Sequence, residues 1–297
     1  MYFEQLLDGF PQDEFVQRFY RHQPLARRGV QGPWLHWGSW ETVAAILAHP
    51  QADVLVARSG ELWPGSEPLT YELARELHAD GYTIAIRHAE RVFPPLAKAA
   101  REFAQLFCGP VNIHIYCTPE RQHGFGWHYD AEDVFIIQTA GTKQYSLRKN
   151  TVNPWPTEET LPLDMQFERE ISPLMKCQLA AGDWLYIPAG YWHVAQAGEP
   201  AISLAIGIAM PTALDLLDHL RGELLHDLRW RQRLPILGVA NTDSPRKLQD
   251  EMATLAHDLA EDLRRRLADP AYLDRFMKFT QEKFSGGNKP DAPDELK

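Results

Sequence analysis

The rhythm of apolar and polar positions changes twice along this chain. Over the first hundred residues, helical spacing dominates and is broken by short alternating runs. Pro11-Gln12-Asp13-Glu14-Phe15 opens a helix with acids in its first turn, and Phe15, Val16, Phe19 and Tyr20 lie on one side of it. Ser39 is the expected N-cap of a helix over Trp40 to Leu47, with Glu41 and Thr42 in the first turn. Ala52 to Ala57 reads as a strand, Thr70 to His78 as a helix and Tyr82 to Ile86 as another strand. Leu96 to Phe107 reads as an amphipathic helix ended by Gly109-Pro110. No Gly-rich phosphate loop is present, so this α/β segment, residues 1–110, is not a nucleotide fold.

From Val111 to Met210 short strands alternate with Gly, Pro and Asn. The candidates are Val111 to Cys117, Val134 to Gln138, Lys143 to Arg148, Phe167 to Ile171, Cys177 to Leu179, Trp184 to Ile187, His193 to Gln196 and Ala201 to Ile208. Regular short strands with turn punctuation indicate a barrel or double-sheet jelly roll, the class that contains the cupins. Residues 211–284 turn helical. Leu248, Met252, Leu255, Leu259, Leu263 and Leu267 recur at three- and four-residue steps and form one stripe. Either the barrel or a second subunit covers that stripe. The composition of residues 285–297 is that of a disordered tail. The expected class is therefore α+β: a double-stranded β-helix core (111–210), a preceding α/β segment packed on it, and a C-terminal helical bundle.

The composition narrows the classes further. At 297 residues, 44% hydrophobic and 24% charged, the chain reads as an ordinary soluble globular protein. A formal net charge of −10 argues against bulk electrostatic binding of nucleic acid. The three cysteines, Cys108, Cys117 and Cys177, lack CxxC spacing and read as free thiols, Cys117 as a small hydrophobe in an apolar run. That odd count, with no signal peptide, fits a reducing cytoplasm. No apolar run approaches the ~20 residues that span a bilayer.

Candidate chemistry lies in Gly126-Trp127-His128-Tyr129-Asp130 and in Tyr191-Trp192-His193. In a strand, residues i and i+2 share a face, so His128 and Asp130 can grip one ion while Tyr129 turns away. An antiparallel barrel can bring His193 opposite them, by way of the turn and strand Ala181-Gly182-Asp183-Trp184-Leu185-Tyr186-Ile187-Pro188. Each histidine alone reads more simply as a hydrogen-bonded core residue; their combination reads as a site. Two imidazoles and one carboxylate that leave half an octahedron open are the facial arrangement of non-haem Fe(II) oxygenases. The open positions suit two oxygens of a 2-oxo acid and dioxygen. The same ligands also suit a zinc hydrolase.

Lys143 separates these readings. It follows the turn Thr139-Ala140-Gly141-Thr142, and if it points inward it needs an anion such as the distal carboxylate of 2-oxoglutarate. If it points outward it is a solvated turn residue. Asn112, His114 and Tyr116 share one face of a strand, so either they or Ile113, Ile115 and Cys117 line the pocket. Ser203 is a further hydroxyl donor, and ordinary buried hydrogen bonding explains all of these equally. Trp127, Tyr129, Trp184, Tyr186 and Trp192 form either an aromatic wall or core packing.

The runs GFGWHYDAEDVFIIQTAGTKQYSLR and AGDWLYIPAGYWHVAQA resemble the two halves of JmjC-type, cupin-fold Fe(II)/2-oxoglutarate oxygenases. The likeness is to the hydroxylase branch that includes ribosomal oxygenases and the asparaginyl hydroxylase of hypoxia signalling. It covers Val111 to Met210 most specifically, and DEFVQRFYRHQPLARRG resembles the entry segment of the same branch. The resemblance implies iron ligation by His128, Asp130 and His193, and a 2-oxoglutarate carboxylate on Lys143. It also implies a homodimer through the C-terminal helices. Little room remains after those helices for the winged-helix module of ribosomal oxygenases, so a ribosomal substrate is not implied. The lack of zinc-binding Cys/His modules disfavours a chromatin demethylase.

The expected function is Fe(II)-, 2-oxoglutarate- and O2-dependent hydroxylation of an unactivated carbon. A peptide or protein side chain is the first choice of substrate, with RNA or a small molecule as others. The alternatives are a non-catalytic cupin that binds metal or an organic acid as a sensor or assembly partner, and a zinc metallohydrolase.

Overall fold

The computed structural model describes the chain except Ser59, Gly124 and residues 162–170, 236–242 and 286–297. It falls into two compact units, Met1–Met210 and Pro211–Lys297.

In the first unit the strands are β1 (Leu25–Arg27), β2 (Asp53–Arg58), β3 (Glu61–Leu62), β4 (Thr83–Arg87), β5 (Val111–Thr118), β6 (Glu132–Ala140), β7 (Lys143–Arg148), β8 (Met175–Leu179), β9 (Trp184–Ile187), β10 (Trp192–Ala197) and β11 (Ala201–Ala209). Eight of them form one sheet in the order β1-β9-β6-β11-β5-β4-β2-β3, and β10-β7-β8 form a second. All the pairings are antiparallel. The helices are α1 (Tyr2–Leu7), α2 (Gln12–Arg18), α3 (Trp34–Trp37), α4 (Trp40–Leu47), α5 (Tyr71–Ala79) and α6 (Pro94–Phe107). Ser39 caps α4 by accepting from the Thr42 amide, and Thr70 caps α5 by accepting from Leu73.

Period-2 alternation divides the large sheet into two faces. Ile113, Ile115 and Cys117 of β5, Phe135 and Ile137 of β6, and Ile202, Leu204, Ile206 and Ile208 of β11 pack against the helices. Phe3, Phe15, Trp34, Phe103 and Phe107 come from those helices into the same core. Val16, expected on the apolar side of α2, is instead 44% exposed, because α2 buries only Phe15. On the opposite face Val134, Ile136, Leu185, Ile187 and Ala205 meet Tyr145, Leu147 and Leu179 of the small sheet. This is a double-stranded β-helix, two facing antiparallel sheets. Its large sheet extends past residue 111 to recruit β2, β3 and β4 from the preceding segment. The expected strand Phe167 to Ile171 lies outside the described residues, except for Ile171, which is not in a strand.

The second unit holds α7 (Ala213–Leu224), α8 (Pro245–Leu267) and α9 (Pro270–Ser285). Leu248, Met252, Leu255, Leu259, Leu263 and Leu267 of α8 are partly buried in a helix otherwise largely exposed, as their spacing requires. Asp262 of α8 is buried and accepts from Arg229, from the indole of Trp230 and from Arg265 and Arg266, which pins the preceding segment to this helix. Tyr272 of α9 donates to the Leu216 carbonyl of α7 at 2.5 Å. Ser285, read from sequence as the start of the tail, ends α9; the rest of that tail lies outside the described residues.

Candidate active site

His193 stands on β10, but His128 is not in a continuous strand. The two form a single antiparallel bridge: the His193 amide donates to His128 O at 2.8 Å and the His128 amide to His193 O at 3.2 Å. Even so, the expected alternation holds locally. Tyr129 is buried, packing edge-on against Trp192 at 4.6 Å and accepting from Asn153 Nδ2, while His128, Asp130 and His193 turn the other way. One ligand atom from each of the three lies within 4.8 Å of the others, and the two imidazole centroids are 4.2 Å apart. Asp130 Oδ2 is 3.5 Å from His193 Nε2, and the Asp130 carbonyl accepts from the Gly190 amide at 2.8 Å.

Both imidazoles are oriented by backbone carbonyls. His128 Nδ1 lies 2.8 Å from Gly126 O, and His193 Nδ1 lies 3.0 Å from Tyr191 O. A carbonyl only accepts, so each Nδ1 carries the proton and each Nε2 keeps its lone pair, the tautomer that binds metal. Burial, followed by the neighbouring His128, lowers the pKa of His193 and keeps that ring neutral. Two neutral nitrogens and one carboxylate thus fit a divalent cation of the iron type.

The triad opens onto a cavity of about 170 Å³ between the sheets. The inward face of β11 reads Ser203, Ala205, Gly207, and these small side chains leave the space. Asn112, His114 and Tyr116 line it, which settles the choice between the two faces of β5. His114 Nδ1 accepts from the His88 amide at 3.1 Å, and burial pushes its pKa down to about 4, so it too is neutral. Lys143 is 4% exposed and donates from Nζ to Ser203 Oγ at 2.9 Å, so the solvated reading does not hold. No carboxylate pairs with it among the described residues, and burial pushes its pKa down to about 8.

Residues 92–216 match the family model described as JmjC domain. That stretch is similar to a JmjC domain. The chain is 30% identical over 197 residues to ribosomal oxygenase 1 of Gallus gallus, covering 58% of this chain and 30% of that protein. To ribosomal oxygenase 2 of Mus musculus it is 27% identical over 238 residues, covering 75% of this chain and 50% of the other. The chain thus spans half or less of the length of these relatives. The fold is shared with the Escherichia coli ribosomal oxygenase YcfD, solved with cobalt and 2-oxoglutarate. That match has a TM-score of 0.61 and 18% identity, and covers 97% of this chain and 75% of that one.

Several residues that line this cavity were not legible as site residues in the sequence. Glu132 follows Asp130 by two positions, and Tyr145 follows Lys143 by two, so strand phase alone could have found them. Thr83, buried with its hydroxyl unpartnered, arrives on β4 by a long-range pairing that leaves no local signal. Glu132 accepts from Asn112 Nδ2 at 2.5 Å, and burial, then Asp130, pushes its pKa up to about 7. The aromatic wall is not formed by the expected residues: Trp184 and Tyr186 lie in the helix-side core, and Phe125, Tyr116 and Tyr145 line the cavity. A larger hollow of about 610 Å³, between Leu47–Pro50, β2 and Leu62–Leu69, contains none of the triad and lies apart from this chemistry.

Proposed function

We propose that the chain is an Fe(II)- and 2-oxoglutarate-dependent oxygenase that hydroxylates an unactivated carbon on a peptide or protein side chain. One observation carries this reading: a single small cavity holds the His128, Asp130, His193 triad and an unpaired buried ammonium on Lys143. A buried cation without a carboxylate partner is costly unless an anion completes it. The distal carboxylate of 2-oxoglutarate fits there, with the oxo-acid end toward the triad. Ser203 and Tyr145 share a hydrogen bond beside Lys143 and would orient that carboxylate. Val134, Ile136 and Ala205 keep the walls apolar and exclude water.

When bound, Fe(II) and 2-oxoglutarate supply the oxidising chemistry, with dioxygen consumed as the 2-oxo acid becomes succinate and CO2. His128 and His193 would hold the ion through Nε2, with Gly126 and Tyr191 fixing their rings, and Asp130 would supply the anionic ligand. A zinc hydrolase would leave Lys143 without a role. A protein substrate is supported by the likeness to proteins named as ribosomal oxygenases.

Anaerobic reconstitution with iron, followed by oxygen, should convert 2-oxoglutarate to succinate. Bound metal without that conversion would select the non-catalytic cupin, and turnover with zinc that ignores oxygen would select the hydrolase. A homodimer through the second unit is part of the proposal, supported by Leu214 and Leu217 of α7 and Met277 and Phe279 of α9, all exposed. A cytoplasmic setting is supported by three free cysteines. Among the described residues no helix is long and apolar enough to cross a membrane.

A further inference from the structure

The second unit gathers arginines in a chain that is acidic as a whole. Although the formal net charge is −10, Asp227 to Arg233 and Glu261 to Arg266 set six guanidiniums, on Arg229, Arg231, Arg233, Arg264, Arg265 and Arg266, against the carboxylates of Asp227, Glu261 and Asp262. The two stretches meet in space. Arg229 Nη1 and Arg265 Nη2 both donate to Oδ1 of the buried Asp262, and the indole of Trp230 donates to its Oδ2 at 2.8 Å.

Two of the six are already neutralised. Arg266 commits Nε to Asp262 and Nη2 to Asp227, and Arg264 grips both oxygens of Glu261. Four remain. Arg229 gives Asp262 only Nη1 and Arg265 gives it only Nη2, and with side chains 49% and 67% exposed both keep further N–H donors in water. Arg231 and Arg233 are exposed and pair with no carboxylate among the described residues. Cations in the last turn of α8 complement the helix dipole, which accounts for Arg264, Arg265 and Arg266. That leaves Arg229, Arg231 and Arg233 unexplained, since they lie outside any helix. Chain length alone keeps the Arg233 Cα within about 14 Å of that of Arg229.

We infer that this arginine patch is a binding surface for single-stranded RNA. Phosphates suit it, because each guanidinium offers them a planar fork of donors. Trp230 lies between Arg229 and Arg231, partly exposed and already held by Asp262, so a base can stack on it without first ordering the ring. Gln232, exposed between Arg231 and Arg233, adds an amide that can meet the ribose 2′-hydroxyl, a group deoxyribose lacks. An acidic peptide would use the charges and neither of these. All of the groups belong to the second unit, so the inference does not draw on the oxygenase reading.

Fluorescence anisotropy on the full chain tests it, with fluorescein-labelled oligo-uridine, oligo-deoxythymidine and oligo-glutamate of equal length. The uridine strand should bind, and three or four phosphate contacts should give log K against log salt a slope of about −2 to −3. The double substitution Arg231→Glu and Arg233→Glu should weaken binding about tenfold or more while the circular dichroism is unchanged, since neither side chain holds a partner. Arg231→Lys with Arg233→Lys should retain most of the affinity. Lys247→Glu, at the far end of α8, should leave it unaltered. No binding of the uridine strand, binding that ignores salt or the double charge reversal, or a loss as large in Lys247→Glu overturns the inference. Oligo-glutamate binding as tightly would make the patch a docking surface for acidic protein instead, and oligo-deoxythymidine binding as tightly would remove RNA as its ligand.

Discussion

Lys143 is a buried cation in the cavity with no carboxylate paired to it among the described residues. Truncating one member of a buried charge pair costs ~2 to 5 kcal/mol, so Lys143→Ala should weaken 2-oxoglutarate binding by one or more orders of magnitude while metal binding survives. Isothermal titration would measure both; unchanged 2-oxoglutarate affinity removes Lys143 from the site. With its pKa lowered from 10.5 to about 8, the folded chain binds fewer protons than the unfolded chain between those values. Its burial penalty is therefore complete below about pH 8, and stability rises with pH from there to about 10.5. Lys143→Met should be stabilising at pH 7, by on the order of 1–3 kcal/mol, and that advantage should shrink by pH 10 in denaturant melts. In wild type, 2-oxoglutarate affinity should decline above about pH 8 as the ammonium is lost. His128→Ala and Asp130→Ala should lose metal affinity yet keep the far- and near-UV circular dichroism of the wild type, because neither side chain belongs to a core cluster.

Among the elements, the strands from β5 to β11 and the cap Ser39 were legible because period-2 alternation and N-cap chemistry are local. The inward direction of Lys143 was legible in phase, since it alternates with Tyr145 and Leu147, but not in energy, because an average lysine avoids burial. Partner choice was not legible: nothing in Tyr82 to Ile86 states that β4 pairs with β5 and delivers Thr83 to the cavity. The link between β9 and β10 was equally hidden. Asp133, buried on β6, accepts from Tyr186 Oη at 2.5 Å and from the Ala189 amide at 3.4 Å, and Tyr186 Oη accepts from the Arg21 amide at 2.7 Å. Tyr186→Phe should cost about 1–3 kcal/mol by leaving that carboxyl and amide unmet. Equilibrium unfolding would show it, and a change below a few tenths of a kcal/mol would mean that the contact is replaced.

At the scale of the molecule, both hydrophobic clusters lie within Met1–Met210. A chain ended at Met210 should therefore unfold cooperatively and keep its metal affinity. Sedimentation velocity on the two lengths tests the assembly proposal: the full chain should run as a dimer and the shortened one as a monomer. A shortened chain that still dimerises would place the contact on the first unit.

The bridge between His128 and His193 has only two rungs, yet it joins stretches that lie far apart in sequence. An ion held by side chains on both stretches would act as a rivet beside that seam. Loading the protein with Mn(II) should slow hydrogen–deuterium exchange at both amides and protect the segment leading to Asp130 from proteolytic nicking. The empty protein should therefore be cut first where the rivet is missing, so metal supply would also set how long the protein survives.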